Sequence, residues 1–570
     1  MVKAKKVKLL IDDSLLILIM SVLACCGLIY EYLLSHYSAR ILGSVETVIY
    51  AIIGIMIVSM GLGAFAAKKI SNAFQGFVIL ELAVALIGCC ATLFIASIIG
   101  FGQTLPHLLA ETYQIPIDTR PEGGIIAQLN WLSIQLPYFF AFLLGFLIGM
   151  EIPLIARIRE TVYGHHLAHN AGTIYGADYI GAGFGAAIWV LFMLRIEISQ
   201  AAALTASLNL LAGFVFLLRF KHYLRHVKKL LLGHGLLAIL VLVVFQYGGS
   251  WQQKMQNLLY QDKVVYQTQT PYQNLVFTQR NLGGNLEPIF NFYINGRLQF
   301  SSLDEKIYHE FLVHPAMQAA ARQNRILIIG GGDGLALREV LKWQPEQVTL
   351  IDLDAQLVEL FKSPQAVLPA YLAKKISALT ENSFNDKRVT VINDDAFITV
   401  DKLLQSKQIF DVIIIDLPDP SHPDLNKLYS ANFYYRLNHL LNGDGVIAIQ
   451  STSPFHAKNA FISIAKTLRE AKFPFVEQYH QNVPSFGEWG WTISTKLGAS
   501  VSKRLQNAPS LAVPTSWLTL PLLKSAFVFN KGFYDDINSI KVNYLGSNQL
   551  YRYHQRAWER ETELPASNSD

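Results

Sequence analysis

The chain has 570 residues, 52% of them hydrophobic, and a formal charge of +5 from 47 basic and 42 acidic side chains. That length supports two or more separately packed units. The basic excess gathers beside apolar runs, at Lys3, Lys5, Lys6, Lys8, Lys68, Lys69, Lys221, Arg225, Lys228 and Lys229, which fits membrane orientation and argues against a nucleic-acid partner.

Apolar runs long enough to cross about 30 Å of hydrocarbon lie near residues 14–36, 45–66, 76–100, 132–156, 171–194, 198–219 and 229–247, and predict a seven-helix membrane domain over 1–250. A further crossing follows the first run with no small-residue cleavage site between them, so a cleavable signal peptide is not expected. Small-residue spacings at Gly54, Gly61 and Gly63, at Gly145 and Gly149, and at Gly181, Gly183 and Gly185 predict close helix contacts. Glu31, Glu81, Glu151 and Asp178 fall within or at the edges of these runs and are read as bundle-internal packing groups or a cation path. Cys25 with Cys26 and Cys89 with Cys90 also lie in apolar runs, so neither a disulfide framework nor a cysteine zinc site is indicated. The positive-inside rule puts the N-terminus in the cytoplasm. Seven crossings would then place the remainder on the opposite side, unless one run does not span.

From residue 252 the composition is that of a soluble domain. Short strands at Val264–Thr268, Asn274–Thr278 and Ile289–Ile294, the last entering Asn295-Gly296, predict a small β subdomain over 251–300 with a tight hairpin. A helix over Ser302–Ala320 then carries Tyr308, His309, Glu310 and His314. The run Arg325–Ile329 reads as a buried parallel strand entering Gly330-Gly331-Gly332-Asp333-Gly334, followed by a helix over Leu335–Leu341. Glycines there allow a sharp turn and close backbone approach to a ligand. A second strand ends at Asp352, about twenty residues on, where an acid suits ribose hydroxyls. A third leads to Asp394-Asp395-Ala396, placed for an adenine amino group; a fourth ends in Asp416-Leu417-Pro418-Asp419-Pro420, and a fifth at Gln450. Any one acid here fits a helix cap, but several at the carboxyl ends of parallel strands predict a ligand site. The turn departs from G-x-G-x-x-G and no Lys or Arg run accompanies it, so a nucleoside beside a cationic substrate fits better than a dinucleotide. The expected fold is a multi-pass helical membrane domain, a small β subdomain, a Rossmann-like catalytic domain over 301–510, and an aromatic-rich extension or cap over 511–570.

Tyr272-Gln273, Gly296 to Gln299, Asp304-Glu305, Tyr308-His309-Glu310, His314-Pro315, Ile328 to Gly334, Arg338 to Leu341, Asp352 to Asp354 and Asp416 to Pro420 occur in the order found in spermidine synthases. Residues 264 to about 500 resemble that family of polyamine aminopropyltransferases, and the apolar half matches a membrane-attached branch of it. The resemblance implies aminopropyl transfer from decarboxylated S-adenosylmethionine to putrescine or a related amine. Asp416 would be the catalytic base, and Asp419, Tyr308 and His309 would hold the amine. Gln273, Gly330, Gly332, Asp333, Asp352, Asp395 and Ala396 would hold the nucleoside donor. No prosthetic group and no metal is expected, because the sulfonium is already a good leaving group. The family's late Thr-Tyr-Pro-Ser-Gly segment is replaced by Val483-Pro-Ser-Phe-Gly-Glu-Trp-Gly490, which puts Phe486 at the tyrosine and adds Glu488 as a substrate-side acid. A polar insertion at Asn281 to Glu287 marks an entrance loop. The resemblance also implies a homodimer or larger assembly in a bacterial inner membrane. A methyltransferase using intact S-adenosylmethionine, and a non-catalytic polyamine transporter or sensor, are the alternative readings.

Overall fold

The computed structural model describes every residue except 1, 43–44, 113–124, 165–168, 259, 261, 284–285 and 563–570, and the middle of the 281–287 insertion therefore lies outside the described residues. The chain divides into two compact units, Met1–Gln261 and Asp262–Asp570.

The first unit is helical: α1 (Val2–Leu42), α2 (Val45–Ala66), α3 (Ala73–Thr112), α4 (Ile125–Ile148), α5 (Glu151–Tyr163), α6 (Asn170–Leu191), α7 (Ile198–Arg219) and α8 (Val227–Asn257). Seven stretches among the described residues are long and apolar enough to cross a membrane, α4 and α5 together supplying one of them. Many of their large side chains, such as Phe65, Phe184 and Leu242, face outward, as lipid-facing residues do. Some glycines do bring backbones together. A Cβ at Gly181 or Gly185 of α6 would lie 2.1 Å or 2.6 Å from the Ser21 or Cys25 carbonyl oxygen of α1, and one at Gly145 would lie 2.7 Å from that of Met56 in α2. Gly54, Gly61 and Gly183 do not fulfil the expected contact role, since no described atom lies within 4 Å of a Cβ built there. Glu81 and Glu151 are buried inside the bundle, and Asn209 Nδ2 donates to Glu81 Oε2 at 2.8 Å. Arg159–Asp13 and Arg219–Asp12 ion pairs, both 2.6 Å, tie α5 and α7 to α1.

The second unit opens with an antiparallel meander, β1 (Lys263–Gln269), β2 (Asn274–Arg280), β3 (Ile289–Ile294) and β4 (Arg297–Ser301). Asn295 and Gly296 both take positive φ, 51° and 80°, the backbone that a two-residue hairpin loop requires. Helix α9 (Glu305–Ala319) follows. The main sheet comprises β5 (Arg325–Gly330), β6 (Gln347–Asp352), β7 (Val389–Asn393), β8 (Phe410–Asp416), β9 (Leu441–Gln450), β10 (Phe475–Val483) and β11 (Gly487–Thr495). Its order is β10-β11-β9-β8-β5-β6-β7, parallel from β9 through β7, with an antiparallel hairpin at the other edge.

Strand alternation explains the two-sided burial of this sheet. Ile326 and Ile328 of β5, with Val412 and Ile414 of β8, enter one hydrophobic core, while Leu327, Ile329, Ile413 and Ile415 enter the other. The strand order reverses between β5 and β8, and the parallel register sets Gly330 opposite Asp416 there. Ligands bind at such a switch point because the two flanking connections diverge to opposite faces and leave a crevice. The residues after 511 also pack in this unit: Leu518, Leu520 and Leu523 join its core, and the helix Gln549–Thr562 is the last element among the described residues.

Candidate active site

The crevice floor is the glycine turn after β5. Gly330 takes φ +81°, and a Cβ there would lie 2.1 Å from the Asp416 carbonyl oxygen, so only glycine permits the two strand ends to meet. The Gly331 N–H donates to that oxygen at 2.9 Å. The Gly332 N–H donates to Asp352 Oδ2 at 3.1 Å, fixing the turn against the end of β6. Asp333 Oδ1 accepts from the Leu335 N–H at 3.0 Å, which starts helix α10 (Leu335–Leu341).

Three groups converge beside this turn. A ring nitrogen of His309 and carboxylate oxygens of Asp333 and Asp416 all lie within 4.8 Å of one another, a set able to hold a metal ion or an ammonium group. Tyr308 Oη donates to Asp416 Oδ1 at 2.8 Å. Burial, with the Asp333 charge added, pushes the Asp416 carboxyl up to about 6 against the opposing pull of His309 and Tyr308. Burial also raises Asp333. For His309 burial works downward, but the Glu305 hydrogen bond and the charges of Asp333 and Asp416 overcome it and lift the imidazole to about 9. His309 Nδ1 lies 3.1 Å from Glu305 Oε2, and Arg338 binds both oxygens of Glu305 at 2.9 Å. This buried network joins α9 to α10 and fixes the imidazole.

Asp419 lies three residues beyond Asp416 in the same turn, with the opposite shift. Burial would raise its carboxyl, yet contacts from His554 and Gln450 and the charge of Arg297 bring it below the ordinary value. Gln450 Nε2 lies 3.2 Å from Asp419 Oδ1, and His554 Nε2 lies 3.2 Å from Oδ2. Two neighbouring carboxyls driven apart in this way suit different tasks, one able to take a proton near neutrality and one staying anionic.

At the nucleoside side, Asp352 accepts N–H bonds from Gly332 and from Asp354 (2.9 Å), yet burial pushes its carboxyl up to about 7. Gln273 Nε2 reaches the same edge, donating to Asp354 Oδ2 at 2.9 Å, and Asp354 caps helix α11 (Ala355–Lys362). Asp395 sits further along the sheet, with Ala396 as the first residue of the helix it caps: Oδ1 accepts from the Phe397 N–H and Oδ2 pairs with Lys427 at 2.6 Å.

Phe486 packs against Tyr308 and Trp489, at ring separations of 6.0 Å and 5.1 Å. Glu488 does not join them. Alternation along β11 turns it away from Trp489 and Trp491, and it pairs with His480 of β10. A second acidic group, Glu310, His314 and Glu339, is fully buried but already committed: Glu310 accepts the backbone N–H groups of Ser516, Trp517 and Leu518, while Glu339 meets Arg338, Lys342 and His314. Sequence reading missed these roles and that of His554, whose distance in sequence from Asp419 left no spacing to follow.

A family model described as the spermine/spermidine synthase domain matches residues 305–507. Over 547 residues the chain is 60% identical to a polyamine aminopropyltransferase of Shewanella oneidensis, covering 96% of this chain and 95% of that one. It is 31% identical over 546 residues to a polyamine aminopropyltransferase of Leptospira interrogans, covering 95% and 97%. A crystal structure of spermidine synthase in complex with the transition-state analogue AdoDATO aligns with 49% of this chain and 90% of its own, at 25% identity and a TM-score of 0.42. The bacterial relatives match along both units, so the apolar helices are part of what is shared, as in a multi-pass inner-membrane enzyme. The chain belongs to the polyamine aminopropyltransferase, or spermidine synthase, family, whose reaction moves an aminopropyl group from decarboxylated S-adenosylmethionine to an amine.

Proposed function

We propose that putrescine is the preferred acceptor, giving spermidine and methylthioadenosine, and that Asp416 is the base. The observation that carries this reading is the split pair on one turn: Asp416, raised to about 6 and bonded to Tyr308, beside Asp419, lowered and held by Gln450 and His554. An ammonium has no lone pair, so a proton must leave the attacking nitrogen for a carboxylate. The new C–N bond forms at the carbon beside the sulfonium, the C–S bond breaks, and its electron pair stays on sulfur as the neutral thioether. Asp419 anchors the amine's far ammonium, with Tyr308 and His309 fixing the near end. Asp333 and Gln273 face the donor's aminopropyl amine, Asp352 its ribose, and Asp395 with Ala396 its adenine end, while Gly330 and Gly332 let the backbone approach. Phe486 supplies an apolar wall through Tyr308. Two cations arriving beside Asp333 and Asp416 add to the counter-charge that His309 supplies there, so most of the rate gain is positioning in a buried acidic cleft.

Pairing of two chains through their catalytic units belongs to the same proposal, and the mass of the detergent-solubilised protein reads it directly. Asp416→Asn tests the base: turnover should fall by about 10²–10⁴ with donor binding retained. Unchanged turnover would remove Asp416 from that role.

A further inference from the structure

We propose that His554, on the C-terminal helix and outside the residues matched to the family domain, is a positioning residue that sets the length of amine accepted by backing Asp419. The inference rests on the proposed amine-holding role of Asp419.

The geometry begins with a latch. Asn543 is fully buried, and its Nδ2 donates to the carbonyl oxygens of Asn426 (3.1 Å) and Tyr429 (3.0 Å), in the segment that follows the Asp416–Pro420 turn. The Ala431 N–H donates to the Asn543 carbonyl at 2.9 Å, and the Tyr551 N–H to Asn426 Oδ1 at 3.3 Å. Leu550 is fully buried in the core on that face of the sheet. The helix Gln549–Thr562 is therefore locked to the loop that carries Asp419, and His554 reaches the carboxylate one turn in. His554 is 1% exposed, so its imidazole is a wall and not a surface group. Because Asp419 is ionised, the His554 nitrogen is the donor in this contact.

Asp419 has two oxygens and two fixed neighbours. Gln450 Nε2 approaches Oδ1 and also binds the Leu417 carbonyl (2.9 Å) and Tyr429 Oη (3.2 Å), which fixes that amide in the turn. Among the described residues, His554 alone hydrogen-bonds to Oδ2 from outside the turn. Removing it leaves a buried oxygen without its donor and space behind the carboxylate, into which Asp419 can retreat. The distance from Asp416 to the anchoring charge then lengthens, which suits a diamine one methylene longer. A group bonded through Nε2 is replaced in position by the Nε2 of glutamine but not by the shorter asparagine.

The test measures steady-state kinetics of the full-length protein in detergent with decarboxylated S-adenosylmethionine and either putrescine or 1,5-diaminopentane, for the parent, H554A, H554N and H554Q. The ratio of kcat/KM for 1,5-diaminopentane to that for putrescine should rise at least fivefold in H554A and H554N, through a higher putrescine KM, with the donor KM within threefold of the parent. H554Q should return the ratio to within twofold of the parent. An unchanged ratio in folded H554A, or equal shifts in H554Q and H554N, overturns the role of His554. If H554A does not fold, the H554N and H554Q pair decides alone. A parent that transfers no aminopropyl group to any amine sinks the function itself, whereas an active parent with unshifted ratios sinks only this residue's role.

Discussion

Replacing Tyr308 by phenylalanine should move the acid limb of kcat/KM for the amine to higher pH. In the parent, Asp416 must be ionised to accept a proton, so the rate falls as pH drops through about 6. Tyr308 Oη, 2.8 Å from Asp416 Oδ1, stabilises the ionised form and so lowers that value. A hydrogen bond to a charged group is worth about 1.5–3 kcal/mol, and one pKa unit corresponds to about 1.36 kcal/mol. Tyr308→Phe should therefore carry the limb from about 6 to about 7–8. At pH 6.5 this cuts the ionised fraction by roughly an order of magnitude beyond any change at the plateau. Asp333→Asn makes the opposite prediction, because it removes a neighbouring negative charge that pushes Asp416 up. Full pH profiles of kcat/KM for the two variants and the parent decide the matter. The amine itself titrates near the value of a lysine, about 10.4, far from this limb. Limbs that stay together, or that move in the same direction, would refute the assignment of the limb to Asp416.

Other variants probe the supports of the site. Gly330→Ala should abolish folded, active protein, because φ of +81° and a 2.1 Å approach to the Asp416 carbonyl compound each other, while Gly331→Ala, with contacts no shorter than 3.4 Å, should be milder in thermal melts. Glu310→Ala strips three backbone N–H groups of their acceptor, the buried one of Leu518 at about 1–3 kcal/mol and the part-buried ones of Ser516 and Trp517 at less, and should expose the chain around Ser516–Leu518 to protease while leaving the membrane unit intact. Asp352 is raised to about 7, so folding favours its protonated form; its cost to stability is full above that pH and fades as pH falls towards the ordinary 3.8. The Tm of Asp352→Asn relative to the parent should thus improve between pH 5 and pH 8, as the donor KM rises about tenfold or more from the lost charged contact.

Where each element's own residues decide its structure, the fold was legible. Hydrocarbon-length runs marked the seven spans, continuous aliphatic runs marked β5 and β8, and Asn295-Gly296 marked its hairpin. Strands β10 and β11 escaped because Phe475–Val483 and Gly487–Thr495 carry Gln, His, Asn and Gly among their apolar residues and become strands through their partners. The acids at strand ends were legible because parallel register brings Gly330 and Asp416 together wherever the strands pair. Glu488 pairs with His480 and stays apart from Phe486 and Trp489 for a related reason: alternation decides which face a strand residue takes, and no local pattern marks where β11 starts. His554 and Asn543 act across more than a hundred residues of sequence, through tertiary packing that no local pattern encodes.

The most direct measurement is product analysis with the full-length protein. Incubated with decarboxylated S-adenosylmethionine and putrescine, it should release spermidine and methylthioadenosine in equal amounts, with intact S-adenosylmethionine giving neither. Methyl transfer from intact S-adenosylmethionine, with no methylthioadenosine formed from the decarboxylated donor and any diamine, would contradict the account.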